Sequence, residues 1–174
     1  MIGPAPRLIL ALALAAAPFA LDPFAPGLST LGMGVLAGVA ALAVLDLVLL
    51  PRRRDYEAAL DVAPVLTLAD EEPLTARVRR LKGPFGPALL RIVLPPEWVT
   101  EHDQTPIVVP AAGEATAQFR VRARKRGRYH PGPLFLRLGA PLGFFWRDLR
   151  FDVSAEVKVY PAVSSMKRYA LLAR

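Results

Sequence analysis

LSTLGMGVLAGVAALAVLDLVLLPRRR, residues Leu28 to Arg54, decides the architecture of this chain. Its first 23 positions, Leu28 to Leu50, hold one charge, Asp46, and three consecutive arginines follow Pro51. As a helix such a run extends about 34 Å at ~1.5 Å per residue, enough for a hydrocarbon core of about 30 Å. The stretch therefore predicts a membrane-crossing helix over 28–50. The positive-inside bias puts Arg52, Arg53 and Arg54 on the cytoplasmic side.

Upstream lies a second apolar run, about residues 7–21. Asp22-Pro23-Phe24-Ala25-Pro26-Gly27 separates the two, and its prolines and glycine mark a tight connection. The run has two readings. It is the first arm of a helical hairpin, or it is a signal peptide with Arg7 as its basic start. A helix about 14 apolar residues long is short for a span, but the close second run favours the hairpin. Either way the arginines keep the same side, and residues 55–174 are expected in the cytoplasm. Asp46 falls one turn inside the end of the second helix. An intramembrane carboxylate can mark a functional site; the plainer reading is an interfacial residue close to the arginines.

Of 22 Lys/Arg and 15 Asp/Glu, all but Arg7, Asp22 and Asp46 follow Pro51. Residues 55–161 are enough for one domain with its own core. The chain has no cysteine, which excludes a disulfide framework and thiolate metal sites. Eighteen prolines and twelve glycines argue against a helical bundle. Period-two alternation recurs instead: Leu74, Ala76, Val78; Phe119, Val121, Ala123; Leu134, Leu136, Leu138; and Val153, Ala155, Val157, Val159. Short apolar runs at 88–94 and 107–109 end at prolines, and Leu60, Val62 and Leu66 form a first extended segment. About seven strands with Gly/Pro turns predict an immunoglobulin-like antiparallel β-sandwich. Residues 162–174 read as the start of a linker or helix.

Few residues offer chemistry. Glu97, Glu101, His102 and Asp103 share a loop that could hold a metal; a solvated acidic turn is the simpler reading. No nucleophile elbow, phosphate loop or zinc-protease pattern occurs. The expectation is a protein that is not an enzyme, with no cofactor, metal or small-molecule substrate. Arg120, Arg122 and Arg124 fall on one strand face. That stripe is the wet side of a sheet or a contact for anionic lipid head groups. Nucleic acid ranks last, because no stacking aromatics interleave the arginines.

Three further motifs follow in order: Arg126-Gly127-Arg128-Tyr129 with Gly132-Pro133-Leu134, Pro141-Leu142-Gly143, and Val157-Lys158-Val159-Tyr160-Pro161. Together they resemble the bacterial membrane proteins catalogued as domain of unknown function 58. The resemblance covers essentially the whole chain, with Ala140 and Phe144 departing from residues usual in that family. It implies a membrane hairpin followed by a β-sandwich, in the inner membrane. It also implies a chain continuing into a von Willebrand factor A-like region absent here, so that this is the N-terminal portion of such a protein. Protein partners, among them a MoxR-type AAA+ ATPase acting in protein assembly or envelope maturation, are implied by the resemblance alone. The expected function is a membrane-anchored interaction or scaffold module. The alternatives are a lipid or nucleic-acid binder through the arginine stripe, or a hydrolase with a metal loop near His102. From the residues themselves, Gly127 and Gly132 suit turns, and Tyr129, Phe144, Phe145 and Trp146 are expected to close one end of the sandwich core.

Overall fold

A computed structural model describes residues 1–161, so the linker or helix expected after Pro161 lies outside the described residues. The fold is mostly antiparallel β-sheet with two helices. The chain divides into two units, Met1–Arg52 with Arg137–Leu149, and Arg53–Leu136 with Arg150 onward.

The first unit is built on α1 (Pro6–Leu21) and α2 (Leu28–Val48). α2 is long and apolar enough to cross a membrane. The two helices pack against each other, and each buries a small residue, Ala15 in α1 and Gly32 in α2. A Cβ on Gly32 would lie 2.8 Å from the Phe19 ring, so glycine is what lets the helices approach. Asp22 caps the second helix, its Oδ1 accepting the backbone N–H of Ser29 at 2.9 Å and of Gly27 at 3.2 Å. The Ser29 bond, chiefly, holds the Asp22 carboxyl below its usual range. Strand β1 (Ile2–Pro4) pairs antiparallel with the start of β11 (Phe145–Phe151), Gly3 opposite Trp146. Ahead of β11 runs β10 (Leu134–Gly139), and Ala140 donates to the Phe145 carbonyl to close the turn between them.

The second unit holds β2 (Tyr56–Asp61), β4 (Glu71–Arg80), β8 (Glu114–Ala123) and β6 (Trp98–Thr100) as one antiparallel sheet, ordered β2-β4-β8-β6. The β4–β8 register sets Leu74 opposite Phe119, Ala76 opposite Ala117 and Val78 opposite Ala115, all six buried. Strict alternation along β8 sends its odd positions to the core and its even positions to solvent. The pair β5 (Gly86–Ile92) and β7 (Gln104–Val109) adds Leu90, Ile92, Ile107 and Val109 to the buried set. β7 lies beside β8 without sharing its ladder, so the core forms between layers. A third sheet sets β12 (Val157–Tyr160) between β3 (Val65–Thr67), parallel to it, and β9 (Gly127–Tyr129), antiparallel.

The expected alternations at 74–78, 119–123 and 134–138 are strands with those residues buried. Three details differ. Val153 and Ala155 lie in irregular backbone before β12. The segment at 60–66 breaks into β2 and β3. β11 occupies a stretch whose aromatics suggested a core plug. Only Leu149 and Phe151 are buried there, with Arg150 exposed between them, while the first four positions are all half-buried.

Tyr56 is almost wholly buried, and its hydroxyl donates to the Pro84 carbonyl at 2.5 Å. Burial, followed by the nearby Asp55, pushes its pKa up to about 12. A raised folded-state pKa gives stability that is complete below the unfolded value near 10 and lost as pH climbs through about 12. Urea midpoints of wild type should therefore fall between pH 10 and 12 more steeply than those of Tyr56→Phe. Parallel alkaline limbs would show that the hydroxyl is not held as described.

Candidate functional site: a buried carboxylate and a charged sheet face

Asp46 is the one fully buried charged residue among the described residues. Its Oδ1 accepts the backbone N–H of Leu142 at 2.7 Å. Its Oδ2 accepts those of Phe144 at 2.8 Å and Phe145 at 3.2 Å. A bare carboxylate could not stay in an apolar setting, and these three amides replace the water it gives up. The turn is shaped for this. Gly143 has φ +76°, a left-handed conformation costly for other residues, and a Cβ there would come 2.8 Å from the Arg7 guanidinium. Ala5 donates to the Phe144 carbonyl at 2.7 Å, Trp146 Nε1 donates to Pro4 at 3.1 Å, and an Arg147 Nη donates to Pro51 at 3.0 Å. The chain start, the end of α2 and the 140–147 turn thus close on one another inside the first unit. Pro141, Leu142 and Gly143 are this turn. The interfacial reading of Asp46 leaves out these three amides, which only the fold brings to it.

The arginines after α2 are put to different uses. Arg53 Nε donates to the Arg150 carbonyl at 2.8 Å, and its guanidinium lies 4.0 Å from the centre of the Phe151 ring. Arg54 approaches Asp55 at 4.0 Å while staying largely exposed. Arg52 is exposed and makes an interaction of its own.

The two outer motifs meet in the second unit. β9 carries Gly127 and Tyr129, and β12 carries Tyr160, with Gly127 opposite Val159 and Tyr129 opposite Val157. Arg126, Gly127, Arg128, Lys158, Tyr160 and Pro161 line a groove at this sheet. Tyr129 donates to the Lys125 carbonyl at 3.0 Å and stacks edge-on against Trp98, ring centres 5.7 Å apart. Its expected companions Phe144, Phe145 and Trp146 belong to the first unit. Gly132 and Pro133 exchange backbone bonds with Val93, Gly132 donating at 2.8 Å and the Pro133 carbonyl accepting at 3.2 Å. A Cβ on Gly132 would lie 2.7 Å from the Val93 oxygen, which explains glycine there. Leu134, next along, is fully buried.

Arg120, Arg122 and Arg124 are all exposed on the outer side of β8 and its continuation. That side is largely charge-balanced. Arg79 stands between Glu57 and Glu114 in the register, Arg77 meets Asp61 at 2.5 Å, and Arg122 meets Glu71 at 2.9 Å. Arg120 and Arg124 have no ion pair among the described residues and flank a shallow depression with Thr100 and Glu101. The His102 loop does not assemble a centre. Asp103 turns to Arg91 at 3.4 Å, Thr100 Oγ1 donates to the His102 carbonyl, and no three metal-ligating side chains come together among the described residues.

No family model matches the chain, and no curated protein matches it. Among solved structures it is similar to the CARDB domain of a Pyrococcus furiosus protein, crystallised with di-metal ions. That match has TM-score 0.41 and 10% identity over 61% of this chain and 88% of the other. It is also similar to a β-glucosidase from Listeria innocua, with TM-score 0.34 and 13% identity over 62% of this chain and 16% of the enzyme. A third is AvmM, which catalyses macrocyclization in alchivemycin A biosynthesis, with TM-score 0.32 and 12% identity over 62% and 91%.

Removing the carboxylate strands three partly buried donors, each at up to about 1–3 kcal/mol. In Asp46→Ala the amides of Leu142, Phe144 and Phe145 should exchange with deuterium far faster than in wild type, while amides of β4 and β8 keep their protection. Unchanged exchange at the turn would show that the carboxylate does not hold it. On the sheet face, the double change Arg120→Gln with Arg124→Gln should alter stability in urea by less than about 0.5 kcal/mol. Arg122→Gln should cost no more than about 1 kcal/mol, as exposed pairs do.

Proposed function

We propose that the chain is a membrane-anchored, non-enzymatic interaction or scaffold module with its β-domain in the cytoplasm. The single observation that carries this is α2, 21 residues of apolar helix followed at once by Arg52, Arg53 and Arg54. Asp46 supports it further. A helix end whose only charge is spent on a protein turn serves attachment. A retained hairpin, with α1 as its first arm, is favoured over a cleaved leader. Cleavage would remove Ile2–Pro4, which pair with β11, and Ala5, which bonds to Phe144. The layered antiparallel sheets suit an immunoglobulin-like sandwich, a fold that commonly presents faces and loops to partners. On the motif resemblance the module belongs with the domain of unknown function 58 proteins of the bacterial inner membrane. It would act there with a MoxR-type AAA+ ATPase.

Because the chain has no cysteine, single labels test the topology directly. In intact cells an impermeant maleimide should label Phe24→Cys, in the connection between the helices, and leave Ser154→Cys unlabelled until the membrane is opened. Ready labelling of Ser154→Cys in sealed cells would reverse the orientation.

A further inference from the structure

We infer that the 140–146 turn, together with strand β1, lies in the head-group layer of the membrane and forms a second lipid contact beside the helices. This rests on reading α2 as a membrane helix. Asp46 is two residues before Val48, the last residue of α2, so it stands about 3 Å along the axis from the helix end. Its carboxylate is in direct contact with the amides of Leu142, Phe144 and Phe145. Whatever depth the end of α2 takes in a bilayer, the turn takes with it.

The residues at that level suit it. Leu45, Leu47, Val48 and Leu49 are exposed around the helix end. On the polypeptide fastened there, Leu142 and Ile2 are exposed as well, at 38% and 48%. These side chains extend the apolar surface of α2 onto the turn and β1. Trp146 is half-buried, with its Nε1 already bonded to Pro4 and the Arg137 guanidinium 4.0 Å from its ring centre. An aromatic with a satisfied polar edge and an arginine beside it is the composition of a membrane interface. Arg7 is exposed with its guanidinium beside Gly143, a cation suited to phosphate head groups, whereas Arg137 is paired with Asp148.

The test is site-directed spin labelling of the full chain in vesicles of phosphatidylethanolamine and phosphatidylglycerol. Nitroxides at Leu142→Cys and Ile2→Cys should collide with oxygen in several-fold excess over a water-soluble nickel chelate, relative to a nitroxide at Thr116→Cys on the outer sheet face. If the labels at 142 and 2 are as open to the nickel chelate as the one at 116, while the protein resists alkaline carbonate extraction, the lipid contact is overturned and the membrane helix stands. If carbonate strips the protein from the vesicles, the membrane helix itself falls, and this contact with it.

Discussion

A carboxylate buried at the end of an apolar helix must be answered by donors, and in this molecule one turn answers it. Asp46 is 96 to 99 positions before the three amides it accepts. That separation makes the contact expensive in chain entropy, so it is held by more than itself. Gly143 bends the turn, Ala140 and Phe145 close it, and β1 flanks β11 through Gly3 and Trp146. The crowding is mutual. A Cβ on Gly3 would run into the Trp146 indole, so glycine at position 3 is as much a condition of the arrangement as the carboxylate. An isolated charge in the helix would be a liability; surrounded this way it specifies which turn is attached and in which register.

How much of this was legible depends on whether the signal is local. Alternation is local, so Leu74 to Val78 and Phe119 to Ala123 declare their strands and their buried faces from sequence. Gly32 against Phe19 and Gly132 against the Val93 carbonyl are close approaches that composition alone leaves mute. β1 is three residues long and begins at Ile2, too short for any period to register, and it exists because β11 offers an edge. β11 alternates only from Leu149 to Phe151, and half-buried Phe145 and Trp146 on adjacent positions look like a cluster, not a strand.

The candidate site divides along the same line. The exposed arginines of β8 follow from period two, yet their pairing does not. Glu71, 51 positions from Arg122, becomes its partner only through the β4–β8 register. That register converts an apparent stripe of positive charge into a mostly balanced surface, with the surplus at Arg120, Arg124 and the turn after it. Asp46 had a sequence signal, a lone charge in a long apolar run, but nothing near it in sequence names the three amides it meets. The arginines are spent elsewhere, Arg53 on the Arg150 carbonyl and the Phe151 ring.

Charge in this chain is thus used in two ways that burial separates. On the outer sheet face, pairs such as Arg77–Asp61 and Arg122–Glu71 are half-exposed and screened, worth at most about 1 kcal/mol each. They keep the face soluble and leave its identity open to change. At the helix end, one carboxylate without a counter-ion among the described residues is solvated by backbone amides, and each of those bonds carries the strength of a charge-assisted contact. Backbone donors cannot be altered by substituting the residues that bear them, short of proline. The turn sequence can therefore vary at Leu142 and Phe144 while the attachment persists, provided Asp46 and the bend at Gly143 remain.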